Sequence, residues 1–223
     1  MSGRLGFYAV MLALGLGWGL TIPLTRVAVS TGHHPLGLIA WQVIWMLVFL
    51  SGYLALRGLR FPQERSHWAM FAVVAFTGTL IPNGAGFTAA AHLPAGVIAI
   101  VIAMVPMFAL PVALALRLER WRPVRLAGVL LGAVAVVLLV GPEASLPQGT
   151  AAVFVLIALI APFCYGIEGN YIAWRGTGGL EPAQVLWGAH VLAVVLAVPG
   201  ALAGDVWIDP TASFGRPEVA FLG

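Results

Sequence analysis

The chain has 223 residues, 61% of them hydrophobic and 9% charged, with 11 arginines, no lysine and 8 acidic residues, for a net charge of +3. Ordinary soluble domains carry about 25% charged residues; this composition, with a mean hydropathy of +1.00, excludes a water-soluble globular fold and points to a chain solvated by lipid. The basic balance does not indicate nucleic acid, since the arginines stand in connectors between apolar runs, where membrane topology accounts for them.

Seven apolar runs are long enough, or nearly so, to cross a ~30 Å hydrocarbon core at ~1.5 Å per helical residue. They lie at 6–29, 36–56, 68–90, 95–116, 125–141, 149–173 and 183–203, and residues 218–223 start an eighth. The fold class is therefore all-α, a polytopic transmembrane helix bundle. The first run follows a basic start, as a signal peptide would, but stays apolar to Val29 and reads as a retained helix. It contains Trp18, Thr21, Pro23 and Arg26, the last about 20 residues or ~30 Å from its inner start and so near the outer interface. Two readings of Arg26 stand side by side, snorkelling to water and facing a cavity. The second run carries Trp41 and Gln42.

In the third run, Gly84, Gly86 and Ala89 imitate a dinucleotide fingerprint, but inside an apolar span helix packing is the better use of those glycines. Pro82-Asn83 marks a local break there, as Pro23 does in the first span. The fourth and fifth runs form a hairpin whose connector holds Arg117, Arg120, Arg122 and Arg125 with one acid, Glu119. An interfacial ion network of Glu119 with Arg117, Arg120 and Arg122 is expected. Pro106 and Pro111 in the fourth run require neighbours that satisfy the freed carbonyls.

The sixth run places Glu168 about five residues, ~7.5 Å, from its cytoplasmic end, among Tyr165, Asn170 and Tyr171. A charge in hydrocarbon costs roughly 2.5 to 3.5 kcal/mol even on the lenient scale, so this carboxylate faces either a water-filled cavity or a rim partner, Arg175, two turns on. The seventh run carries Trp187 and His190. The substrate-cavity candidates are thus Trp18, Thr21, Arg26, Trp41, Gln42, Asn83, Tyr165, Glu168, Asn170, Trp187 and His190. Neither a catalytic constellation nor a metal or cofactor site is expected: Cys164 is the single cysteine, and the adjacent His33 and His34 read as a solvated turn before Pro35.

With the N-terminus cytoplasmic, nine of the eleven arginines fall in inner segments, leaving only Arg26 and Arg216. Short cytoplasmic loops collect arginine, so this orientation is expected.

Taken in order, Val105-Pro106, then Leu118-Glu119-Arg120, then Gly128, Gly132 and Gly141 resemble the end of the first repeat of EamA-type transporters, in the drug/metabolite transporter superfamily. That resemblance implies about ten helices in two inverted repeats and a secondary-active exporter of small metabolites or drug-like compounds, energised by an ion or substrate gradient, in the bacterial inner (plasma) membrane. It also implies an anion-attracting role for Arg26, which follows the Trp18-Gly19 pair. The implied partners are a small-molecule substrate and membrane lipid, with a homodimer left open. A lipid-side flippase or accessory membrane subunit is the alternative.

An internal offset of 147 residues superposes Trp18-Gly19 on Tyr165-Gly166, Gly32 on Gly179 and Pro35 on Pro182. It also exchanges loop charge, as a repeat of five spans inserted in the opposite sense requires. Residues 1–142 are then a first five-helix repeat and 148–223 an incomplete second one. Gly223 aligns with Phe76 in mid-span, so a C-terminally truncated transporter is expected.

The orientation is testable. A cysteine replacing Ser66 in a Cys164→Ser background should resist an impermeant thiol reagent outside intact cells and react after permeabilisation; labelling without permeabilisation reverses the assignment.

Overall fold

The computed structural model describes residues 2–30, 32–140 and 151–209, and the regular structure among them is entirely helical. The expected start of an eighth span at 218–223, Arg216 and the junction at 142–148 lie outside the described residues. The α-helices are α1 (Ser2–Val29), α2 (Pro35–Leu56), α3 (Trp68–Val74), α4 (Ile81–His92), α5 (Ala95–Ile102), α6 (Val105–Ala115), α7 (Pro123–Val140), α8 (Ala151–Ala158), α9 (Ile160–Arg175) and α10 (Pro182–Ala203). A π-helical turn, Ala75–Leu80, joins α3 to α4. Six stretches of the described residues are long and apolar enough to cross a membrane: Gly6–Val29, Pro35–Leu56, Arg65–His92, Ala95–Ala115, Ala152–Arg175 and Pro182–Ala203. The fifth expected span corresponds to α7, which has 18 residues.

Three interruptions within these spans share one cause. Proline offers no N–H and its ring crowds the carbonyl four residues back; for Pro106, Pro162 and Pro82 those residues are Ile102, Ala158 and Gly78. Accordingly α5 ends at Ile102, α8 ends at Ala158, and Gly78 lies inside the π-turn, where the Ile81 N–H reaches five residues back to the Phe76 carbonyl. Pro23 departs from expectation: α1 runs through it unbroken, as α6 does through Pro111 and α10 through Pro199. A proline deletes one bond, and the helix continues where its flanking bonds still hold the backbone.

The helices α2 and α10 form the most extensive interface. Both have 22 residues with proline at the first helical position, and their bounds differ by 147 at either end. They also end alike. Gly58 and Asp205 take left-handed φ values of 63° and 53°, and the next N–H, of Leu59 or Val206, returns to the carbonyl of Leu54 or Ala201 at 2.9 and 3.0 Å, which satisfies a helix-terminal acceptor. Between the two helices, Ile39, Ala40 and Val43 meet Ala193, Ala197 and Ala201, all buried. Alanines at that spacing let backbones approach, the main source of helix association where lipid removes the hydrophobic drive.

A second close approach sets α9 on α6. A Cβ on Gly166 would lie 2.9 Å from the Ala109 nitrogen and 3.1 Å from the Phe108 carbonyl carbon. Nearby, the Asn170 Nδ2 donates to the carbonyls of Ala109 and Gly166 at 2.9 and 2.7 Å. Helices α1 and α7 lie at the periphery and leave Phe7, Met11, Leu14, Leu131 and Leu138 exposed, as lipid-facing helices do.

Between α6 and α7, Arg117 adopts a φ of 58° and the Leu118 N–H bonds the Ala113 carbonyl at 2.9 Å, so the chain reverses sharply. That reversal brings the start of α7 back over the end of α6. Glu119 consequently pairs with Arg125, both about two-fifths exposed, and not with the flanking Arg117, Arg120 and Arg122 of the expected network.

Because backbone cannot give way as a flexible side chain does, Gly166→Ala should lower the stability of the detergent-solubilised protein by about 1–3 kcal/mol. Gly169→Ala, with open space at its Cβ position, should leave it near wild type; thermal unfolding of the pair checks this.

Candidate functional site

Midway along the apolar spans, the α1, α4, α5 and α9 helices line a partly open cavity of about 100 Å³. Its walls include Trp18, Thr21 and Thr25 from α1, Asn83 and Phe87 from α4, Ile98 and Ile102 from α5, and Ala161 and Tyr165 from α9. The rings of Trp18 and Tyr165 meet edge to face, 6.3 Å apart at 84°, an arrangement favoured by the ring quadrupoles. Thr21 is turned back on its own helix, its hydroxyl donating to the Trp18 carbonyl at 2.6 Å. Asn83 reaches out of the cavity wall to α2, where its Nδ2 donates to Gln42 Oε1 at 2.8 Å.

Two ionisable groups flank this cavity, and their surroundings differ. The Arg26 guanidinium donates to the carbonyl of Ala90, which lies in the last turn of α4 and itself lines the cavity. A cation on a helix C-terminal carbonyl meets the negative end of the dipole. Arg26 thereby ties α1 to α4.

Glu168 sits one turn beyond Tyr165 on α9, half-buried, and its carboxylate rests on Gly78 of the π-turn. A Cβ at Gly78 would lie 2.7 Å from the Glu168 carboxyl carbon and 2.8 Å from Oε2, so the absent side chain is what admits the carboxylate. Among the described residues no hydrogen bond or ion pair reaches Glu168. Arg175, the rim partner considered for it, lies over the Trp174 ring at 5.5 Å instead.

Other candidates hold the bundle together at a distance from the cavity. Trp41 donates through Nε1 to the Ile208 carbonyl at 2.8 Å and packs on Trp207, fastening the segment after α10 to α2. Trp187 donates to Ser51 Oγ at 2.9 Å and packs on Phe61. His190 is buried, with Nδ1 donating to the Leu186 carbonyl at 2.8 Å. Asn170 lines a different and larger cavity, about 730 Å³, between the α5–α6 pair, α7 and α9. The structure thus brings Trp18, Thr21, Asn83 and Tyr165 to one cavity, with Gln42, Arg26 and Glu168 at its edges, and leaves Trp41, Asn170, Trp187 and His190 elsewhere. Gly78 is the participant that sequence reasoning missed; its signal was a glycine four residues before Pro82.

The helices and cavity define a polytopic integral membrane protein. The EamA-like transporter family matches residues 6–141, and the chain belongs to that family, whose members are membrane transporters. No curated protein and no solved structure matches it.

If Arg26 serves as the tie to α4, Arg26→Gln should cost about 1–2 kcal/mol of stability, and Arg26→Lys should recover part of it. Thermal unfolding in detergent is the measurement; an unchanged midpoint for Arg26→Gln would remove the tie.

Proposed function

We propose that the protein is a secondary-active exporter of small metabolites or drug-like compounds, driven by an ion or substrate gradient across a bacterial inner membrane, with its N-terminus in the cytoplasm. One observation carries the coupling: the Glu168 carboxylate, in a membrane span, lies on Gly78 without an ion partner among the described residues. Ionisable groups in such a place are costly and belong to ion or proton pathways. A carboxylate able to hold either a proton or a cationic group of a substrate couples the two by competition. Its position one turn from Tyr165 supports a competition held at the edge of the cavity.

Further support comes from the pairing of α2 with α10. Their common length, proline start, left-handed cap and mutual packing support two repeats, 1–142 and a second from residue 148, inverted with respect to each other. The Trp18–Tyr165 contact joins residues related by the same offset, as contacts near a pseudo-two-fold axis do. A lipid-side flippase or accessory subunit fits a bundle without interior charge, which Glu168 argues against. The arginine distribution supports the orientation.

The test is Glu168→Gln, which keeps shape and polarity but removes the exchangeable charge. Substrate flux in membrane vesicles, at matched protein abundance, should lose its response to an imposed pH gradient while membrane insertion persists. A flux-against-pH profile identical to wild type would take Glu168 out of the coupling site.

A further inference from the structure

A cavity larger than the one beside Tyr165 opens on another side of α9. It is a slot of about 730 Å³, walled by Met104, Met107 and Leu110 on α5–α6, by Gly128 and Val129 on α7, and by Asn170 at its back. From Ile100 to Ala113 it follows the α5–α6 span for roughly 20 Å at ~1.5 Å per residue, about the depth of one bilayer leaflet with its interface. Its apolar length ends at the Glu119–Arg125 pair. A second groove of about 190 Å³, shared with Leu110, Val129 and Arg125, lies beside it and is lined by Trp121 and Arg122. The connector that carries this pair is strongly biased in charge: Arg117, Arg120, Arg122 and Arg125 stand in it against Glu119 alone, with Glu119 and Arg125 lining the slot and Arg122 the neighbouring groove.

We propose that this slot binds one anionic phospholipid, with an acyl chain lying along α6 and the phosphate at Arg122 and Arg120 beside the Glu119–Arg125 pair. The shape and charge select this occupant together. An apolar channel one leaflet deep accepts a chain, and a cationic cluster at its interfacial mouth discriminates an anionic headgroup from a zwitterionic one; basic pockets between transmembrane helices recognise lipid headgroups in this way. Arg125 cannot serve alone because Glu119 already accepts from it. Arg122 and Arg120 supply the surplus. Gly128 and Gly132 keep the α7 wall low: a Cβ at Gly128 meets nothing within 4 Å, and one at Gly132 meets Met107 only at ordinary contact distance. A Cβ at Gly128 therefore enters the slot without touching its walls, and a larger side chain there takes up the slot's space.

The test uses the purified chain in nanodiscs of phosphatidylcholine with phosphatidylglycerol, and native mass spectrometry of the lipid retained after release. Wild type should retain one phosphatidylglycerol in preference to phosphatidylcholine. Arg120→Gln/Arg122→Gln, which leaves the Glu119–Arg125 pair intact, should reduce that preference by roughly fivefold per arginine. Gly128→Phe, and independently Val129→Phe, should abolish tight retention of either lipid, with helical content by circular dichroism as the folding check. Retention of wild-type preference by the arginine variant, or of tightly held lipid by both slot-filling variants, overturns the proposal. A different occupant would show itself too: if a second copy fills the slot, the same spectra show a dimer that carries no retained phosphatidylglycerol, and the lipid assignment falls.

Discussion

Hydrocarbon supplies no water to an unpaired backbone group, and the architecture of this protein follows from how it meets that constraint. Helices satisfy their own backbone, so the apolar chain is helical throughout its described spans. Prolines are the places where the solution fails locally. Pro82, Pro106 and Pro162 each withdraw a donor, and the chain answers with a π-turn at the first and helix ends at the other two. Each adjustment lies where helices pack together, so neighbours can shelter the disturbed backbone.

The π-turn connects this constraint to the candidate site. Widening the helix ahead of Pro82 presents Gly78 to α9, and the missing side chain leaves room for the Glu168 carboxylate. Backbone geometry imposed by a proline thus creates the niche of a charged side chain from another span. Arg26 meets the opposite fate, since a free carbonyl at the end of α4 takes its charge. Two ionisable groups within spans thus end as a structural tie and as a carboxylate at the cavity's edge.

The mutual packing of α2 and α10 is the other organising feature. Their alanine-rich seam buries little bulk per residue, but it joins two helices of equal length and like C-terminal caps. Both flanking segments are fastened across it: the chain after α10 by Trp41, and the Arg60 carbonyl before α3 by Gln184 Nε2 at 2.7 Å. The α2–α10 pair is therefore fastened to the segments that flank it, while α1 and α7 lie at the exposed periphery.

Sequence alone determined the membrane class, the approximate limits of the six long apolar spans among the described residues, and the resemblance carried by Val105-Pro106, Glu119-Arg120 and the glycines of α7. These are local properties: twenty apolar residues need a helix and a bilayer whatever surrounds them. The offset of 147 was also legible, because proline and glycine at helix ends are fixed by backbone conformation. Partners in space were not. Nothing in the order of residues says that Glu119 meets Arg125, that Arg26 meets Ala90, or that Glu168 meets Gly78 across ninety residues, since helical rotation and the pairing of spans decide which side chains face one another. Trp41, Trp187 and His190 show the same limit from the other side: a polar aromatic group in a span needs one hydrogen-bond partner, and only the packed structure reveals that a carbonyl or a serine, not a substrate cavity, provides it.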